Sequence, residues 1–267
     1  MQRPIITLIS DFGLADEYVG VIKGVIISRN SSIQTVDICH TVPPQDIAAA
    51  ARLLERSYRY FPPATVHLVI VDPGVGSSRA ILAVDDGNQY FVGPDNGVFT
   101  PVFEQCSSLT VYRVTRPDYF LQPLSNTFHG RDIMAPVAAH LASGLAIDRL
   151  GPEMDSMECT RIGRRSPVHG GGTVRGVVTH IDRFGNLATN IGRSDIAELK
   201  VGDKVTMRIG DTLIARLSNS YADSEEGAIL ALFDSQGYLE IGVNMGNAAL
   251  MLEVSIGAAV TVRGAEA

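Results

Sequence analysis

Asp72 and Arg79 stand seven residues apart in "VDPGVGSSR", residues 71–79, with Gly74 and Gly76 between them. Pro73 biases the aspartate toward an extended conformation that points it out of the preceding apolar run "TVHLVI". The glycines either satisfy a turn or let backbone approach a ligand closely. Two readings stay open: an ion pair across a surface turn, or an acid–base pair mounted above a substrate. Asp11, in "SDFGLAD", also leaves an apolar run into a tight turn. An aspartate there caps a helix or accepts both hydroxyls of a ribose, and Asp16 has the same capping alternative. His129, in "NTFHGRD", opens a helical segment whose dipole favours a neutral imidazole. Phe184 and Asn186, in "IDRFGNLATN", set an aromatic beside an amide. That pair suits a planar heterocycle, by stacking and hydrogen bonding, or a β-turn around Gly185–Asn186.

These residues need elements to hold them. Apolar runs at 4–10, 33–38 and 65–71 predict buried strands, and the segments "DFGLAD", "CHTVPPQD" and "DPGVGSSR" follow them in turn. Val19, Ile22 and Ile26 form a helical face over 15–29, and Ile47, Ala50, Ala51 and Leu54 form another after Pro44 and Asp46. "ILAV" and "YFV" predict a hairpin around "DDGN", "LTVYRV" a further strand, and "RDIMAPVAAHLA" a helix broken or kinked at Pro136. Uniformly apolar strands alternating with helices indicate a largely parallel sheet covered on both faces. Ligands bind such sheets outside the carboxyl ends of the strands, where the three segments fall. From about residue 173 the texture changes to short strands at close spacing, including "TVRGVVTHID", "KVTMRIG", "AILALF", "YLEIGV", "ALMLEV" and "AVTVRG". The fold class is therefore α/β: a Rossmann-like, mostly parallel sheet domain over 1–160, a linker over 161–171, and a small all-β barrel over 172–267.

The bulk numbers exclude several function classes. A net charge of −7 and the short basic run "RIGRRS" argue against a nucleic-acid partner. No apolar run approaches a membrane span, and "MQRPIITLIS" reads as a first strand and not as a leader, which predicts a cytoplasmic protein. Three widely spaced cysteines fit reduced thiols, with neither a disulfide framework nor a zinc site. His40, Asp72 and His129 match no metal-ligand spacing, so no metal is expected.

Taken in order, "SDFGLAD", "VDICHTVPPQD", "VDPGVGSSR", "GPDNGVFT", "NTFHGRD", "DRFGNLATN" and "SQGYL…VNMGNA" run from residue 10 to residue 248. In these segments the chain resembles the S-adenosyl-L-methionine (SAM) hydroxide adenosyltransferases, adenosine-forming SAM hydrolases related to the fluorinating and chlorinating SAM enzymes. The resemblance implies in-line attack of water or hydroxide on ribose C5′, giving adenosine and L-methionine, with SAM as substrate and no cofactor. It implies a catalytic set of Asp72, Arg79 and His129. It implies that Asp11 holds the ribose hydroxyls and that Asp16 and Ser235 hold the methionine amine and carboxylate. Phe184 and Asn186, with the backbone near Asn247 and Ala248, would form the adenine pocket. It implies a homotrimer with sites at subunit interfaces. The halogenating relatives carry an inserted loop after the segment matching "DPGVGSSR", whereas "SSRAILAVDDGNQYFVGPDNG" is compact. A carboxylate at residue 72 would also repel a halide. A halide-dependent transferase and a non-catalytic SAM or adenosine sensor are the alternatives.

Overall fold

The structure, a computed structural model, describes residues 3–106, 108–163, 165–197, 199 and 205–264. The chain divides between Ile162 and Gly163 into two compact units. The first carries strands β1 (Ile5–Ser10), β2 (Gln34–Cys39), β3 (Val66–Ile70), β4 (Ile81–Asp85), β5 (Tyr90–Pro94), β6 (Thr110–Arg113) and β7 (Glu153–Met154). They form one sheet in the order β2-β1-β3-β5-β4-β6-β7. The β2-β1-β3-β5 half is parallel, and the β5-β4-β6-β7 half is antiparallel.

Helices cover both faces, which is why β3 is buried along its whole length and reads as a continuous apolar run. On one face Ile22 and Ile26 of α1 (Tyr18–Arg29) join Leu8, Leu68 and Ile70. On the other, Ala50 and Leu54 of α2 (Ile47–Ser57) and Val102 of α3 (Thr100–Gln105) join Ile9, Val69 and Phe91. Asp46 caps α2 by accepting the Ala49 N–H at 2.8 Å. A π-helical turn, Gly130–Met134, leads into α4 (Ala135–Ala142), which packs on the first face through Val137, Ala138 and Leu141. The irregularity expected at Pro136 therefore lies just before it. Pro136 lacks the N–H that would bond back to the preceding turn, and the Asp132 carbonyl four residues earlier accepts the Leu121 N–H at 2.7 Å instead.

The second unit is antiparallel. It holds β8 (Val168–Gly170), β9 (Thr173–Ile181), β10 (Leu187–Gly192), α5 (Arg193–Ala197), β11 (Val205–Ile209), β12 (Thr212–Ile214), β13 (Ile229–Phe233), β14 (Tyr238–Val243), α6 (Ala248–Met251) and β15 (Ala259–Gly264). The order is β12-β11-β15-β9-β10-β14-β13, with β8 paired to β9. A bridge between Leu217 and Ala231 joins the two ends, so the sheet nearly closes into a barrel around Val178, Leu187, Ile241 and Val262. Three expectations change. The segment 161–171 contains β8. Residues 187–192, absent from the expected strands, are β10, with Leu187, Ala188 and Ile191 buried. "ALMLEV" is not a strand: the Asn247 side chain accepts the Leu250 N–H at 2.9 Å and starts α6, leaving Leu250 and Met251 exposed. Among the described residues no helix is long and apolar enough to cross a membrane.

Candidate functional site

Strands β1 and β3 are parallel neighbours, with Ser10 opposite Ile70. The chain beyond each strand emerges at the same sheet edge, so Asp11 and Asp72 meet although they are 61 residues apart in sequence. A cavity of about 260 Å³ opens there, bounded by Asp11, Phe12, Gln45, Asp72, Phe128 and His129 among others. The loop bearing His129 is brought in by two close approaches. A Cβ on Gly130 would stand 2.8 Å from Ile70 Cγ2, at the end of β3. A Cβ on Gly76, which has φ +78°, would stand 2.4 Å from the Asn126 carbonyl oxygen. Any other residue at either position forces the two loops apart.

Arg79 joins the other two groups. Its Nε donates to Asp72 Oδ1 at 2.7 Å, and an Nη donates to Asp72 Oδ2. The same Nη lies 3.1 Å from His129 Nδ1. A guanidinium only donates, so Nδ1 must be the acceptor and the imidazole proton sits on Nε2. Burial, reinforced by the Arg79 charge, holds the imidazole below the ordinary histidine range, against the opposing pull of Asp72. His129 is thus neutral, with one ring nitrogen committed. The side chains of Asp72 and Arg79 are 7% and 11% exposed, so this is no solvated surface pair. A buried pair is weak evidence for stability, because desolvation offsets its attraction. Its place beside the cavity is the informative fact.

Asp11 accepts the Gln45 backbone N–H at 2.8 Å through Oδ2. Gln45 has φ 66°, the left-handed region that non-glycine residues rarely adopt. Sequence reasoning missed Gln45; its signal is its place between two prolines and the capping Asp46. It also missed three packed rings. Phe12, Tyr18 and Phe128 lie with centroids 5.4–5.7 Å apart, and Phe12 and Phe128 face the cavity. Each ring sits beside or near a residue singled out for chemistry. Asp16 is exposed and is not among the groups bounding the cavity.

Asp132, completely buried, supports the His129 loop. Its carboxylate accepts the Ser125 N–H at 2.7 Å and Arg131 Nε at 2.6 Å. Asp132→Ala removes the acceptor of that half-buried N–H and the partner of the Arg131 guanidinium. We expect a loss of about 1–3 kcal/mol in urea unfolding, and an unchanged midpoint would show that the loop is held by other means.

In the second unit the structure groups Phe184, Asn186 and Asn247. Gly185 has φ +86°, and a Cβ there would fall 2.1 Å from the Asn247 side chain. The Ala249 N–H donates to the Gly185 carbonyl at 3.0 Å. Phe184 is 73% exposed while Asn186 is buried, and Ala248 points into the core. Ser235 lies exposed in the β13–β14 turn.

Residues 6–151 match the SAM hydroxide adenosyltransferase N-terminal domain, and residues 176–261 match the C-terminal domain of the same family. A Thermus thermophilus protein named (R)-S-adenosyl-L-methionine hydrolase is 37% identical over 92% of this chain and 94% of its own length. A Nocardia brasiliensis fluorinase is 31% identical over 98% of this chain and 97% of its own. That alignment spans 292 positions, more than the 267 residues here, so the fluorinase has residues with no counterpart in this chain. An uncharacterized conserved protein from Thermotoga maritima has a crystal structure that superposes with a TM-score of 0.90. It is 39% identical, over 97% of this chain and 99% of its own.

Proposed function

The chain belongs to the SAM hydroxide adenosyltransferase family, and from that premise we propose that its cavity seats a SAM ribose with C5′ toward Asp72, Arg79 and His129. The protein is an adenosine-forming SAM hydrolase. A water oxygen attacks C5′ opposite the sulfonium; the C5′–O bond forms as the C5′–S bond breaks, and its electron pair returns to sulfur. Methionine leaves as a neutral thioether, so no acid is needed at the leaving group and no cofactor is needed to activate it. The water proton passes to the Asp72 carboxylate, while the Arg79 charge and the His129 Nε2–H stabilise the hydroxide-like oxygen. Asp11 accepts the ribose 2′- and 3′-hydroxyls.

The observation that carries this reading is the single guanidinium bonded to both Asp72 and His129 beside the cavity. Adenine stacks on Phe184 and bonds Asn186, with the backbone at Asn247 and Ala248, and Asp16 and Ser235 take the methionine end. The adenine residues belong to a neighbouring copy in a homotrimer. Phe184, Met245 and Leu250 support that assembly, since these large apolar side chains around Asn247 stay exposed in the single chain. We place the enzyme in the cytoplasm, in keeping with three free thiols.

Incubation with SAM in halide-free buffer is expected to yield adenosine and methionine in equal amounts. Turnover appearing only with added chloride or fluoride would favour the halide-using relatives. Saturable binding of SAM without turnover would leave a sensor.

A further inference from the structure

Asp182, between β9 and β10, was not among the residues singled out for binding. Its Oδ1 accepts two backbone N–H groups, from Phe184 at 2.8 Å and from Asn186 at 2.9 Å. Its Oδ2 lies 3.0 Å from Asn186 Nδ2. A carboxylate only accepts, so the Asn186 carboxamide can present only its NH2 to Asp182. The orientation of that amide, otherwise ambiguous, is set by chemistry. Among the described residues nothing else bonds this amide, so its second N–H and its carbonyl oxygen Oδ1, which lies beside Gly242, remain for a ligand.

We propose that Asp182 makes the site selective for a 6-amino over a 6-oxo purine by fixing which end of the Asn186 amide meets the base. The inference rests on the reading of Asn186 as an adenine-binding residue. An asparagine side chain pairs with the N6/N7 edge of adenine, its oxygen accepting from the 6-amino group and its NH2 donating to N7. Asn186, oriented by Asp182, has both groups in that sense. Hypoxanthine presents the same N7 but an oxygen at position 6, which would face Asn186 Oδ1 with no hydrogen between them. Asp182 touches no base in this scheme; it is a positioning residue.

Asp182→Asn inverts the arrangement without removing the turn. The new amide must keep its oxygen where Oδ1 accepts the two backbone N–H groups. Its NH2 then occupies the Oδ2 position and donates, so the Asn186 amide turns over and offers NH2 to position 6. The N7 contact is common to both bases and cancels in their ratio.

The test measures adenosine and inosine affinities by calorimetry on the full-length protein, alongside SAM turnover. The parent is expected to favour adenosine by about tenfold or more, and Asp182→Asn to shift that ratio toward inosine by at least about tenfold. Asn186→Ala, which keeps the backbone bonds to Asp182, is expected to bring the ratio near one and serves if Asp182→Asn does not fold. A parent that hydrolyses SAM while both variants keep its adenosine preference overturns the inference and leaves the hydrolase reading standing. A parent that neither binds adenosine nor consumes SAM overturns both.

Discussion

Asp72→Ala is expected to bind adenosine as the parent does and to hydrolyse SAM about 10²–10⁴-fold more slowly, the usual range for loss of a positioned acid–base group. The carboxylate is the one anionic member of the set, and Arg79 holds it through both oxygens. Without it the attacking water has no acceptor for its proton. His129 cannot substitute, because its Nδ1 is committed to Arg79 and its Nε2 already carries hydrogen. Removing one member of a nearly buried pair also destabilises the fold, by about 3–5 kcal/mol in comparable cases. For that reason kcat must be compared with adenosine affinity measured on the same preparation. A fall in kcat with affinity retained assigns Asp72 to the chemical step, whereas equal turnover would reduce it to a structural ion pair. The pH profile gives a second reading. His129 is held below the ordinary 6.5, so it stays neutral through neutral pH and charges only in more acid solution. A protonated imidazole can no longer accept from Arg79. Activity should therefore be level at neutral pH and decline on the acid side of the ordinary histidine range.

That Asp11 and Asp72 border one cavity is legible in the sequence. Continuous apolar runs at 4–10 and 65–71 marked parallel strands, and parallel strands deliver their following loops to one edge. What sequence patterning could not supply was the contact of Arg79 with His129, 50 residues away. That contact depends on tertiary approaches at Gly76 and Gly130, which look like ordinary turn glycines in the chain. Gln45 was hidden for a related reason: its backbone conformation is imposed by the bond from its N–H to Asp11, not by its own side chain. The error at "ALMLEV" was of another kind. Its apolar content suited a strand, but one capping asparagine decided for a helical turn that leaves Leu250 and Met251 exposed. Asp182 escaped because its spacing to Asn186 resembles an ordinary turn, which it is. Only the side-chain bond at 3.0 Å separates that role from a specificity role.

The second large effect is on stability and lies at His67, away from the site. His67 is 1% exposed on β3, stacked on Phe91 at 5.1 Å and flanked by Tyr58 and Phe61. Its Nδ1 lies 2.7 Å from Thr7 Oγ1, while its Nε2 is buried without a hydrogen-bond partner. Protonation would place a charge inside the core, and burial pushes the imidazole down to about 4, against the weaker upward pull of the Gln89 side chain and the Asp86 charge. The unfolded chain takes up that proton near 6.5 and the folded chain near 4, so the unfolded state binds more protons between those values. Stability is therefore complete above about pH 6.5 and falls as the pH drops toward 4, where the contribution levels off. The interval corresponds to about 3 kcal/mol. Carboxylates and the other histidines add their own acid dependence, so the measurement is a difference between two proteins. His67→Asn keeps a polar atom for Thr7 and does not titrate. Unfolding free energies from urea titrations of both proteins at pH 7, 6, 5 and 4 separate the terms. The variant is expected to start less stable, because it leaves a cavity beside Phe91, and to lose about 3 kcal/mol less on acidification than the parent. Two curves that stay parallel from pH 7 to 4 would mean that His67 takes up its proton without cost, through an opening of the aromatic cluster that the closed core does not provide.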